Sequence, residues 1–192
     1  MIPTLLSRRV LIALLVSAFA VGTGGAQSGP PVFTQTYSPA DPVACEGLAL
    51  DGVTYSFTVG GAPSLDCVAR TMIGPGTTDN IEAPNVEGTS AGILHLTFDV
   101  PTTVFGFGVA RSIVVPDAVV SDRVIVDLFR PGAGLLREEL TLDPTSDPTF
   151  TGGRFEYRGP AVKTVTIAFV NPPVTRFAVD NVTYFRPPGR SK

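Results

Sequence analysis

From about residue 50 onward the chain alternates apolar and polar residues with a period of two, and this is the feature that most limits its fold. Residues 52–59 (GVTYSFTV) put Val53, Tyr55, Phe57 and Val59 in one phase. Residues 93–100 (ILHLTFDV) put Leu94, Leu96, Phe98 and Val100 on one face, and Ile93, His95, Thr97 and Asp99 on the other. VFGFGVA (104–110) sets Phe105, Phe107 and Val109 opposite glycines. RVIVDLF (123–129), LLREELTL (135–142), GRFEYRG (153–159), KTVTIAFV (163–170) and RFAVDNVTYF (176–185) continue the series. Successive side chains of a strand point to opposite faces, so β-branched and aromatic runs of this kind, bounded by Gly, Pro, Asp and Asn, predict strands. No stretch of 11 or more residues carries a helical stripe. Eight or more short strands in about 140 residues predict an all-β fold, an antiparallel β-sandwich of the jelly-roll type. An open sheet of that size would leave an apolar face and its edges in water.

The first 26 residues belong to a different class. Arg8 and Arg9 precede an apolar run, Val10 to Val21, which is followed by small residues ending at Gly24 and Ala26. This is the anatomy of a cleaved secretory signal peptide, with an uncleaved anchor as the alternative. The run is shorter than the roughly 20 residues that span a bilayer. Ser7-Arg8-Arg9 also matches part of a twin-arginine signal, so the export route stays open. Residues 27–43 form a Pro/Ser-rich lead-in, 44–186 the sandwich, and 187–192 (PPGRSK) a polar tail. The mature chain of 166 residues keeps all 17 acids and 12 of the 14 basic residues, a formal charge of −5. Its length suits one domain, secreted to the periplasm or the exterior and free of the membrane after cleavage. Without a basic cluster it is not expected to bind nucleic acid. In an exported chain the two cysteines, Cys45 and Cys67, predict a disulfide. Closing a loop of about 23 residues stabilises a fold by on the order of 3 kcal/mol.

Catalytic signatures are weak. Gly88-Thr89-Ser90-Ala91-Gly92 has the G-x-S-x-G form of a nucleophile elbow, which needs a strand before the serine, a helix after it and a histidine far downstream. Here the residues before Gly88 read as a loop, a strand follows, and the only histidine, His95, lies five positions on. Ser-Lys chemistry would have to recruit Lys163 or Lys192 without supporting spacing. Glu138 and Glu139 are adjacent and therefore face opposite sides of a strand. His95 reads as a surface or groove residue, and one histidine with two cysteines cannot make a zinc site. The sequon Asn181-Val182-Thr183 falls inside a predicted strand.

Three segments, taken in order, resemble secreted bacterial jelly-roll domains of PEP-CTERM-type exported proteins, similar in layout to carbohydrate-binding jelly rolls. They are LALDGVTYSFTV, then GTSAGILHLTFDVPTTVFGFGVA with its F-D-x-P turn and V-x-G-F-G strand, and the closing VTRFAVDNVTYF. Together they span roughly residues 47–185. The resemblance implies a structural calcium at Asp180, with Glu46 or Asp51 as the N-terminal acid, although no other cofactor is required. Calcium takes several carboxylate and carbonyl oxygens. The alternative is that Asp180-Asn181 marks a bulge or the polar face of the last strand. Unlike that group, the chain shows no C-terminal sorting helix, so release rather than membrane sorting is expected.

Sugar platforms are exposed aromatic faces, and this chain has no Trp and four Tyr. Tyr157, beside Arg154, Glu156 and Arg158, is the ligand-binding candidate; its shared phase with Phe155 leaves a core position open. The function expected is a secreted, non-catalytic recognition or adhesion module for glycan or an extracellular surface. The alternatives are a structural or matrix protein without a small ligand, and a carbohydrate-active enzyme using two separated acids, Asp99 or Glu156 among them.

Overall fold

The computed structural model describes residues 32–35, 42–71, 80–113, 122–170 and 175–185; the expected signal peptide and polar tail lie outside them. These residues form twelve strands, all paired antiparallel. They are β1 (Val32–Thr34), β2 (Val43–Ala44), β3 (Ala49–Leu50), β4 (Val53–Val59), β5 (Ala62–Pro63) and β6 (Cys67–Thr71). The second half contains β7 (Asn85–Thr89), β8 (Gly92–Ser112), β9 (Asp122–Arg130), β10 (Gly134–Pro144), β11 (Phe150–Phe169) and β12 (Arg176–Phe185). The lead-in thus contributes β1 and the start of β2.

The hydrogen-bonded ladder is continuous but folds over into two layers, because β8 and β11 each serve both. In the first layer β4 pairs with residues 92–98 of β8, which pair with residues 164–168 of β11, followed by β9 and β10. In the second, residues 150–158 of β11 pair with 104–112 of β8, followed by β12, β7, β6 and β2. The sequence reads each of these two long strands as a pair of short ones, because Pro101 and Gly159-Pro160 interrupt the alternation. The interruptions mark the crossings. The β4 ladder on β8 ends at Phe98, and β11 changes register between Arg158 and Thr164. Proline's missing N–H is tolerated where the ladder is broken.

The two inner faces meet through rings. Phe57 of β4 lies 5.9 Å from Phe177 of β12, Phe169 lies 5.3 Å from the same ring, and Phe98 lies 5.5 Å from Tyr184. Val53, Tyr55, Phe57, Leu94, Leu96 and Phe98 are all fully buried, so the period-two phase is the core phase. Burial of apolar area at about 25 cal/mol per Å² is the main stabilising term in such a core. One polar contact also joins the layers inside it: Arg111 Nη1 lies 2.8 Å from Asp122 Oδ1, with Phe169 beneath the guanidinium at 5.7 Å. Thr151 Oγ1 donates to the same carboxylate at 2.8 Å.

Sequence reasoning missed β7. The stretch before Ser90 is a strand whose five residues are all buried, not a loop. Its mixed composition hides it, since it is covered on both sides.

Cys45 and Cys67 are bonded, with Cα atoms 5.4 Å apart and both residues fully buried. The bond ties the connection between β2 and β3 to the start of β6. Replacing both cysteines with alanine is expected to lower the unfolding free energy by about 3 kcal/mol, read by urea denaturation. An unchanged midpoint would show that the bond constrains nothing the fold does not already hold.

Candidate functional site

The outer face of the second layer carries the glycines of VFGFGVA. Phe105, Phe107 and Val109 point inward, so Gly106 and Gly108 point out, and neither has a side chain to cover the sheet. At Gly108 the segment 80–84 lies directly on the strand; a Cβ there would come within 1.8 Å of the Asn80 carbonyl oxygen. Ile81 of this segment packs on Ala110 and Ala178. Gly106 is buried as well, with Arg154 Nη2 about where a side chain would reach. A Cβ there would approach the Phe155 carbonyl at 2.8 Å and Thr183 Oγ1 at 3.3 Å.

Gly106 lines the bottom of a pocket of about 200 Å³. Gly106 stands opposite Glu156 on β11 and opposite Thr183 on β12. Arg154 and Arg158 flank Glu156 on the same exposed phase of β11, and Val104 and Val32 supply apolar walls. Arg154 Nε donates to Glu156 Oε1 at 2.9 Å. No ion pair or hydrogen bond of the Arg158 side chain is found among the described residues.

The Val32 wall is borrowed from the lead-in. β1 pairs with the end of β12, Val32 opposite Phe185 and Thr34 opposite Thr183, and Phe33 stacks on Tyr184 at 6.1 Å. The next residue, Gln35, anchors the strand. It is 1% exposed, its backbone N–H donates to Val182 O at 2.9 Å, and Nε2 donates to Leu50 O at 2.8 Å. Tyr55 donates its hydroxyl proton to Gln35 Oε1. A glutamine in a Pro/Ser-rich lead-in gives no sign of this role in the sequence. The pairing of β12 creates it.

Tyr157 corrects the expectation of an exposed platform. It borders the pocket but is 4% exposed, packs on Phe105 at 5.4 Å, and donates its hydroxyl to Pro160 O at 2.8 Å. The phase it shares with Phe155 is the core phase. The polar residues named beside it, Arg154, Glu156 and Arg158, are the ones the structure brings to the pocket.

The calcium candidates lie apart from one another. Asp180 sits in the bulge before Thr183, where Asn181 adopts φ 50° and its side chain donates to Asn80 O at 3.3 Å. Asp180 Oδ2 accepts the Glu82 N–H at 2.9 Å. Burial raises the Asp180 pKa, an effect opposed by the amides of Glu82 and Asn181 and reinforced by the Glu82 charge. Glu46 instead accepts the Phe57 N–H at 3.1 Å at the edge of β4 in the first layer. No group of three His, Cys, Asp or Glu able to hold a metal occurs among the described residues. In the structure described, Asp180 acts as the tie that holds segment 80–84 on the sheet.

The catalytic candidates are similarly scattered. Ser90 is 1% exposed in the turn between β7 and β8, where its hydroxyl lies 2.9 Å from Thr175 Oγ1 and accepts the Thr175 N–H. It leads from strand to strand, with no helix. His95 is half-buried on the outer face of the first layer, 3.0 Å from Thr58 Oγ1; desolvation lowers its pKa, while the Glu46 charge opposes that effect. Asp99 belongs to the first-layer end of β8 and does not line the pocket that contains Glu156. Glu138 and Glu139 do take opposite faces.

No protein-family model matches the chain, and no curated protein matches it. Similar folds occur among solved structures. TmCBM61 in complex with β-1,4-galactotriose is 10% identical, with a TM-score of 0.44 over 69% of this chain and 88% of that one. The K2 cleaved adhesin domain of Lys-gingipain is 15% identical, with a TM-score of 0.44 over 81% of this chain and 98% of that one. A CBM29-2 mutant, from a carbohydrate-binding module family, is 10% identical with a TM-score of 0.37, over 81% and 91% of the two chains. Similarity at this level assigns the chain neither a family nor a ligand.

Two outcomes are expected from this geometry. Gln35→Ala removes both side-chain hydrogen bonds that anchor β1, at a cost of about 1–3 kcal/mol. It should speed amide hydrogen exchange at residues 32–35 more than in β8, and exchange unchanged there would show that β1 is held by other contacts. A carboxyl whose pKa is raised by folding contributes most at low pH, and its contribution falls as pH rises through the folded-state pKa. Asp180→Asn keeps an acceptor for the Glu82 N–H and removes that titration. The unfolding free energy of the variant should therefore decline less than that of the parent between about pH 3 and pH 7. Parallel profiles would contradict the assignment.

Proposed function

We propose that the protein is a secreted, non-catalytic recognition module that binds a glycan chain on an extracellular surface through the pocket over Gly106. The observation that carries this reading is the pocket itself. Hydrogen-bonding side chains, Arg154, Glu156 and Arg158 from β11 and Thr183 from β12, converge there from the two strands that flank Gly106. Side chains on strands are held in place by the ladder beneath them, which lowers the entropy cost of ordering them around a ligand. At about 200 Å³ the pocket is smaller than the roughly 300–1,000 Å³ typical of sites that enclose a ligand. It suits one ring of a longer chain that continues over the surface. The buried disulfide agrees with export. Recognition is favoured over hydrolysis because, among the described residues, Glu156 is the only acid lining the pocket, whereas glycoside hydrolysis uses two.

A structural calcium at Asp180 belongs to the same proposal. One experiment tests both: retention of the protein on a panel of insoluble polysaccharides, run with calcium and with EDTA. Retention on at least one glycan is expected, with Arg154→Ala and Thr183→Val weakening it. Loss of retention in EDTA, accompanied by a lower melting temperature, would support the metal. Retention unaffected by EDTA would remove it. No retention on any member in either buffer would reject the recognition reading in favour of a matrix role, which concentration-dependent self-association would then support.

A further inference from the structure

We infer that the sugar taken by this pocket is anionic, a ring bearing a carboxylate or a sulfate, and that Arg158 holds the negative group. The inference rests on the recognition reading above and narrows its ligand class. Neutral sugars are commonly held by stacking their C–H faces on an exposed aromatic ring. The two aromatic residues bordering this pocket, Phe105 and Tyr157, are 2% and 4% exposed and stack inward. The contacts that remain are polar and charged, with Val32 and Val104 as the apolar walls.

The charges are asymmetric. Arg154 is committed to Glu156 at 2.9 Å, so that pair is internally neutral. The pair leaves Glu156 able to accept further hydrogen bonds from sugar hydroxyls while Arg154 fixes its orientation. Arg158 stands two positions further along the same face and finds no such partner among the described residues. Alternate positions on a strand are about 6.6 Å apart, so Arg158 sits about one sugar ring from Glu156. A guanidinium presents a planar fork of donors that matches a carboxylate or sulfate in two parallel hydrogen bonds. The pocket therefore offers an acceptor at one point, a Thr183 hydroxyl across the floor, and an unmatched cation at the end. That set is complementary to a ring with hydroxyls and one negative substituent.

The overall charge makes the assignment testable without ambiguity. The chain carries a formal charge of −3 and no basic cluster, so it is repelled by polyanions in general. Retention on an acidic polymer has to come from a local site.

The test compares polygalacturonate, the same polymer fully methyl-esterified, a neutral galactan and a sulfated galactan, by affinity electrophoresis at low and high salt. The expected result is retention on at least one anionic polymer that is about tenfold or more stronger than on the esterified and neutral ones, and that weakens as salt screens the charge. The polygalacturonate and sulfated arms tell which anion is preferred. Arg158→Gln should abolish the preference for anionic polymer with the melting temperature unchanged. Arg123→Gln removes an exposed charge paired with Glu139 on the other layer and should leave it intact. Equal retention on esterified or neutral polymer, or an Arg158→Gln variant that keeps the anionic preference, would overturn the inference and leave the recognition reading standing. Retention on none of the four polymers would overturn it outright, and the wider panel above would then decide the recognition reading separately.

Discussion

Every N–H and C=O of a strand must find a partner once its face is buried, and in this protein β8 and β11 meet that demand in two layers at once. Their first halves and second halves pair with each other at both ends, so the two strands form a single folded spine. The remaining strands attach to one half or the other, except β10, which pairs with β9 in the first layer and, at Asp143 and Pro144, with the second-layer half of β11. The inner faces can then close through Phe57, Phe98, Phe169, Phe177 and Tyr184, whose rings would otherwise face water. The fold is a sandwich because the spine turns, and it turns where Pro101 and Gly159-Pro160 stop the ladder.

The same alternation that fills the core also makes the site. Each inward phenylalanine of Phe105-Gly106-Phe107-Gly108 obliges its neighbour to point outward, and both neighbours are glycine. One outward glycine admits the backbone of segment 80–84, which Asp180 and Asn181 tie down. The other lies between Glu156 and Thr183 at the bottom of the pocket. Core packing and the candidate pocket are thus two faces of one segment of β8, and a side chain added at either glycine would be felt at both.

Inside the sandwich, Arg111 and Asp122 form a buried ion pair across the layers. Such pairs gain little net stability against their desolvation, whereas losing one partner is costly. Burial lowers the Arg111 pKa and raises that of Asp122, each shift opposed by the other's charge. The contact joins the first-layer strand β9 to the second-layer end of β8.

Much of this was legible in the residues. The period of two gave the strand phases and the jelly-roll class, because side-chain alternation is a local property of extended backbone, although Val59 and Val100, in the same phases as the buried residues, are exposed. The disulfide and the poor fit of Ser90 to a nucleophile elbow followed from the number and spacing of cysteine and histidine. β7 escaped because a strand covered on both faces loses its alternation. Tyr157 could be placed on the face of Phe155, but whether that face was core or surface needed the packing of β11 against Phe105. Gln35, Val32 and Thr183 could not be linked to Arg154, Glu156 and Arg158 from the sequence, since the residues that meet around Gly106 lie up to about 150 positions apart. Sequence alone determined that the chain is a sandwich with alternating faces. Only the tertiary structure decided which outward positions meet, because that depends on the long-range register of β1, β8, β11 and β12, which hydrogen bonding between distant strands sets and local patterning does not.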